Sequence, residues 1–231
     1  MKLSRFLIAI ILIFTSSQAF AVDFFSTEKP ERLLTFGARF GVNTSNITFN
    51  NNYFEIKNVN SWGTGIEAGA VANLNFRDYI TVQPGIFFQS RSGKYVYATS
   101  YLTYMNTSDI SYQMGNYLYY DIMIPVMACL NFNIADNVKW SLEAGPYLQI
   151  NVKKPCNNKV FVLYRNPDET AYKMKNALSH FYDYGIKLGS GIKVNSHFYF
   201  GIHYDIGLRE VWGFPSGGHS KAWTFTVGYD F

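Results

Sequence analysis

The chain has 231 residues, 48% of them hydrophobic and 18% aromatic but only 16% charged, with a mean hydropathy of -0.05. A near-zero mean excludes a bundle of membrane helices, which needs several apolar runs of about 20 residues, and 20 Phe with 18 Tyr give too much apolar surface for a disordered chain. Apolar residues that alternate with polar ones reconcile these figures, which is the composition of a transmembrane β-barrel.

Lys2 and Arg5 precede an apolar run from Phe6 to Phe14, and a polar stretch then ends in Ala19-Phe20-Ala21. A positive start, a short apolar core and a small-x-small end predict a secretory signal peptide over residues 1–21, cut after Ala21. The run is too short to anchor the chain, since it spans less than half a bilayer. Without Lys2 and Arg5, 18 basic residues face 16 acidic ones, which gives no electrostatic footprint for nucleic acid. Cys129 and Cys156 are the only cysteines and make no disulfide framework. They fall at different predicted membrane depths, so no bridge is expected. No cofactor or metal site is expected either.

A polar stretch over residues 22–32 leads to eight alternating segments, the barrel proper covering 33–231. In the first, Leu34, Phe36, Ala38, Phe40 and Val42 alternate with Thr35, Gly37, Arg39, Gly41 and Asn43, a period of two that reads as a strand with one apolar face. The second sets Ile66 through Phe76 against Glu67 through Asn75. After a turn at Arg77-Asp78, the third runs from Ile80 to Gln89. The fourth, Tyr117 to Phe132, alternates less cleanly, because Met123, Pro125, Met127 and Cys129 sit on its polar face. The fifth runs from Lys139 to Ile150, the sixth from Tyr182 to Lys193, the seventh from Phe198 to Arg209, and the eighth carries Trp223, Phe225, Val227, Tyr229 and Phe231.

Three short connections alternate with linkers of about 20, 25, 27 and 10 residues. Outer-membrane barrels have short periplasmic turns and longer external loops, so both termini are expected in the periplasm. Aromatics flank the short turns: Phe76 and Tyr79, Phe132 and Trp140, Phe198 and Tyr199, a predicted girdle at the membrane–water boundary. An open sheet edge in lipid leaves backbone groups unpaired, so the first strand must close on the eighth. The rival architecture is a soluble lipocalin-like barrel with the same alternation turned inside out. The long–short loop rhythm, the aromatics at the turns and the aromatic carboxy terminus favour the membrane form.

Strand charges fall on the predicted lumen face, where Arg39, Glu67, Glu143, Asp183, Lys187, Asp205 and Arg209 form a candidate structural network, with Asp121, Lys139 and Lys193 on the same face. If residues pair about the turn at Ser196, Lys187 lies opposite Asp205 and Asp183 opposite Arg209, and Glu143 reaches Lys187 from the other side. The interior of an eight-stranded barrel is just wide enough for side chains to fill it, so these charges read as a plug, with a narrow ion or proton path as the alternative. His203 reads as a satisfied lumen histidine.

Gln83-Pro84-Gly85, Ile124-Pro125-Val126, Ala144-Gly145-Pro146-Tyr147 and the closing Gly228-Tyr229-Asp230-Phe231 resemble the PorT-like outer-membrane β-barrel proteins of Bacteroidota, over about residues 33–231. The resemblance implies an OmpA/OmpX-type eight-stranded barrel, inserted by the barrel-assembly machinery, which reads a carboxy-terminal aromatic signal here matched by Tyr229 and Phe231. The name-giving member is linked to protein secretion, a role that no motif here carries over.

Three functions are open. The first is a non-enzymatic surface protein without an open pore, in contact with outer-membrane lipid and lipopolysaccharide. Its binding loops would be residues 44–62 and 92–116, rich in Asn, Ser, Thr and Tyr, and the basic residues of 153–179 would face lipopolysaccharide phosphates or solvent. The second is an accessory subunit of a secretion complex. The third is a lipid A-modifying enzyme, for which His180, His219, Ser220 and Asp183 supply residue types but no motif.

Overall fold

A computed structural model describes residues 24–49, 61–101, 109–153, 181–210 and 218–231. These contain eight antiparallel strands: β1 (Leu34–Phe49), β2 (Ser61–Arg77), β3 (Ile80–Tyr101), β4 (Asp109–Ala135), β5 (Val138–Lys153), β6 (Tyr182–Val194), β7 (Phe198–Glu210) and β8 (Gly218–Asp230). Each pairs with the next, and β1 pairs with β8 from Gly37–Asp230 to Phe49–Gly218, so the sheet closes into a barrel. Period two in the sequence becomes two surfaces. Phe36, Phe40, Ile86, Phe88, Phe200 and Phe225 are exposed on the outside, whereas Arg39, Glu67, Gln89, Asp121 and Asp205 are buried inside. An apolar exterior over a polar interior is the membrane-barrel arrangement, the reverse of a lipocalin.

Two strands run well past their expected ends. The segment 92–116, expected as a polar loop, is largely hairpin: β3 and β4 stay paired as far as Tyr101–Asp109. Its Tyr, Val, Ile and Thr residues are strand formers as well as polar-loop residues. β2 joins β3 only up to Ser61–Lys94, and β5 joins β4 only up to Tyr120–Lys153. Seven pairs, Tyr95–Gly115 to Tyr101–Asp109, therefore form a two-stranded ribbon that stands alone among the described residues. Residues 44–49 and 61–62 of the other expected loop are also strand.

The ladders differ around the barrel. Those of β5–β6, β6–β7, β8–β1 and β1–β2 run without a gap, and β7–β8 shifts only near its end, between Ile206 and Glu210. The other three skip rungs at prolines and keep register there, although β2–β3 shifts between Trp62 and Glu67 and between Asn75 and Arg77, and β4–β5 shifts between Tyr120 and Asp121 and between Asn133 and Ala135. β2–β3 passes from Leu74–Val82 to Val71–Gly85, across Pro84. β3–β4 passes from Pro84–Val126 to Phe87–Met123, across Pro125. β4–β5 passes from Pro125–Tyr147 to Ala128–Ala144, across Pro146. Proline has no backbone N–H to give a ladder, and the register places the three at neighbouring heights on adjacent strands.

Behind this wall lies an apolar cluster of Val71, Phe87, Met123 and Tyr147. Met127 and Cys129 extend it, so the apolar residues on the polar face of the fourth strand pack inside the lumen. Cys129 is a free, buried thiol, and Cys156 lies outside the described residues.

The stretch before β1 is a strap and not a loose polar tail. Asn75 donates its backbone N–H to Leu33 O (2.8 Å), Asp78 to Glu28 O (3.2 Å) and Asn133 to Phe24 O (3.1 Å). The side chains of Asn75 and Arg77 donate to Arg32 O and Thr27 O. Phe24 stacks on Phe132 with centroids 5.2 Å apart, and Phe25 meets Tyr79 at 4.5 Å.

Aromatics ring this short-turn end, with Phe132 against Trp140, Phe198 edge-on to Tyr229, and Tyr229 against Phe231. Tyr199, expected in that girdle, instead points into the lumen and is buried. Its odd position puts it on the inner face of β7 with His203 and Asp205.

Candidate functional site

The lumen side chains form three tiers. Nearest the short turns, Asp230 takes two cations: Arg39 Nη2 at 2.6 Å and Lys193 Nζ at 2.6 Å. The Arg39 guanidinium also lies 4.4 Å from the Tyr199 ring centroid, a cation–π contact. Lys139 pairs with Asp78 beside the β2–β3 turn.

The middle tier is built on Glu143. Its Oε1 accepts from Tyr199 OH at 2.9 Å and Ser141 Oγ at 2.6 Å, and its Oε2 meets His203 Nε2 at 3.0 Å. Thr226 donates to Glu67 Oε1 at 3.1 Å and lies 3.5 Å from His203 Nδ1. Glycines make room for these rings: a Cβ on Gly189 would sit 2.2 Å from His203 Cδ2, and one on Gly201 2.4 Å from the Tyr199 hydroxyl.

In the upper tier Asp205, with no exposed surface, is clamped between Lys187 Nζ at 3.1 Å and Arg91 Nη2 at 2.5 Å. Lys187 also faces Glu67 at 4.0 Å. Gln149 donates to Asp121 at 2.9 Å. A buried charge is tolerated only when paired and hydrogen-bonded, and Asp205 is paired twice.

Several expected contacts resolve differently. The ladder pairs Lys187 with Asp205 but ends at Gly185–Gly207, short of Asp183 and Arg209. Asp183 instead accepts from Ser220 Oγ at 2.8 Å and from the Tyr184 backbone at 2.8 Å. The Arg209 guanidinium lies 3.9 Å from the Tyr182 ring centroid and donates to Tyr182 O. Glu143 meets His203, whereas Lys187 reaches Glu67 and Asp205. Arg91 and Asp230 were absent from the expected network, although both fall on lumen parity: Arg91 is one alternation past Gln89, and Asp230 lies between the two terminal aromatics.

The three tiers enclose a cavity of about 20 Å³ lined by Glu67, Lys187, His203 and Tyr199 on one side and by Val71, Phe87, Pro125 and Met127 on the other. That is room for about one water molecule.

Residues 17–213 match the family model described as the outer membrane protein beta-barrel domain. The chain belongs to this family. The family is one of the outer membrane, which fixes the location of the barrel. Comparison with curated proteins gave no match.

Among solved structures, Neisserial surface protein A is 10% identical, with 85% of this chain and 97% of that one covered at a TM-score of 0.42. Ail, the attachment invasion locus protein of Yersinia pestis, is 10% identical over 87% of this chain and 100% of its own, at a TM-score of 0.38. The outer membrane enzyme PagL is 10% identical over 81% and 97%, at 0.34. Likenesses this distant carry nothing about activity.

The residue types expected for an enzyme do not converge among the described residues. Ser220 is held by Asp183, but His219 is its chain neighbour, and strand alternation puts the two side chains on opposite faces of β8. His180 and the basic segment 154–179 lie outside the described residues. No group of three or more His, Cys, Asp or Glu among the described residues is placed to hold a metal ion.

Proposed function

We propose that this outer-membrane barrel is a non-enzymatic surface protein whose lumen charges form a structural plug and whose long-connection end meets other molecules. The observation that carries the reading is the charge-lined lumen beside the projecting β3–β4 ribbon: the cavity among the lumen charges leaves room for about one water, whereas seven strand pairs project beyond their neighbours among the described residues. Ribbon edges that no described strand pairs present backbone donors and acceptors to a partner strand. The basic Arg209 and Lys221, near the same end of β7 and β8, suit anionic lipopolysaccharide headgroups.

In this reading residues 1–21 are the removed signal peptide and both termini are periplasmic, because the short turns share their end. Tyr229 and Phe231 are the signal to the barrel-assembly machinery. PorT-like membership rests on the proline motifs and the Gly228–Phe231 ending, and the Bacteroidota source rests on that membership. An accessory role in a secretion complex would use the same ribbon.

Two measurements test the proposal. In planar bilayers the purified barrel should give no steady conductance, and a stable open level would overturn the plug. A membrane-impermeant maleimide should label Ala98→Cys on intact cells. Labelling only after the outer membrane is broken would invert the orientation.

A further inference from the structure

The three skipped ladders and the strap fall on the same side of the barrel. The skips lie between β2 and β5 and are centred on Pro84, Pro125 and Pro146. The strap's hydrogen bonds and ring contacts described above fall on Asn75 and Arg77 of β2, on Asp78 and Tyr79 of the β2–β3 turn, and on Phe132 and Asn133 of β4. Behind the skipped rungs the lumen offers apolar side chains, Val71, Phe87, Met123 and Tyr147, together with the small cavity, and one polar tie across β2–β3, from Gln83 Nε2 to Asn73 Oδ1 at 2.6 Å. Apolar contacts slide without a strong penalty for register, whereas ladder rungs and ion pairs are directional. The cross-lumen ties Arg91–Asp205 and Glu143–His203 attach to β3 and β5 above and below the proline row, and neither spans it.

We infer that residues 24–33 are a brace for the proline-interrupted wall, and that releasing them lets β2–β5 open as a unit while β6–β1 stays paired. Proteins open in contiguous units whose stability follows their local hydrogen bonding. The wall with missing rungs is the weaker unit, and the strap replaces part of what it lacks by adding hydrogen bonds and a ring stack across its lower edge. The brace comes from the mature amino terminus, so anything that binds or removes that segment acts on the wall. This inference does not depend on what the ribbon binds.

Hydrogen exchange read by mass spectrometry, on the full mature chain in lipid nanodiscs, tests it. In the double variant Phe24→Ala/Phe25→Ala, peptides covering 83–88, 122–128 and 143–147 should exchange at least about tenfold faster, while peptides from 185–194, 198–206 and 220–227 change less than about twofold. In an otherwise native chain, Pro84→Val/Pro146→Val restores ladder donors and should slow exchange in the first set of peptides. Equal acceleration around the barrel, or no acceleration in the double variant, overturns the brace. Unchanged exchange in the proline variant overturns the weakened wall, even if the strap variant fails to fold.

Discussion

One lumen is enclosed by two kinds of wall. From β6 round to β1 the ladders are continuous apart from one shift near the end of β7, and the inner face carries Lys187, His203, Asp205, Thr226, Asp230 and Arg39. From β2 to β5 three ladders skip two pairs at a proline, and the inner face mixes Val71, Phe87, Met123, Met127 and Cys129 with Glu67, Arg91, Asp121 and Glu143. The continuous wall is held by unbroken ladders and by directional bonds that accept one register, since a slip of one residue would turn every charge toward lipid. The interrupted wall carries its own share of charges but adds apolar packing, which supplies burial and specifies register poorly. A closed barrel has no edge at which to place its weak strands, so here the weakness sits within the sheet, at the proline row.

Removing the double clamp should break this contrast most strongly. Asp205→Ala leaves Lys187 and Arg91 buried without their shared carboxylate, and its unfolding free energy in lipid vesicles, followed by Trp fluorescence in urea, should fall by about 3–5 kcal/mol. The triple replacement Arg91→Met/Lys187→Met/Asp205→Leu should recover most of that loss, because an intact buried charge group is often no more stable than an apolar one of similar size. If the triple variant is as unstable as the single one, the buried charge group supplies stability in its own right and not register alone.

In the interrupted wall Met123→Ala should cost about 3 kcal/mol, by lost transfer and by the cavity left behind. A much smaller loss, read by the same urea titration, would mean that the wall already relaxes around its cavity.

Glu143→Gln tests the seam between the walls and has the smallest expected effect. It keeps the shape and the oxygen that accepts from Tyr199 and Ser141 but turns a donor toward His203 Nε2, so that contact survives only if the imidazole carries its proton on the other nitrogen. A loss of about 1–2 kcal/mol is expected. A shift of the His203 imidazole signals in NMR would report the change directly, and unchanged signals would remove Glu143 from the centre of the tier.

Alternation alone sufficed for the eight strands, and the three-residue turn at Asn195–His197 sufficed for Lys187 opposite Asp205. There Asn195 and Ser196 take left-handed backbone angles, φ 52° and 61°, in a turn too short to allow another register. Contacts across the lumen were beyond reach, because which side chain faces Glu143 depends on strand stagger around the whole barrel, a quantity no single hairpin encodes. That is why Glu143 was expected at Lys187 and found at His203. The prolines were visible one by one, but their shared height appears only once the strands are staggered. Arg91 was missed because β3 was ended at Gln89. The ribbon was missed because its Tyr, Ser and Thr residues read equally well as loop.

The ribbon has a mechanical consequence. At the usual rise per residue, the seven pairs that no described strand joins carry its tip about 20 Å beyond the described ends of the neighbouring strands. Its two roots, β3 and β4, are the middle strands of the wall with the skipped rungs. A load at the tip is therefore delivered as torque to the proline-interrupted panel of the barrel, and the panel of continuous ladders opposite acts as the fulcrum.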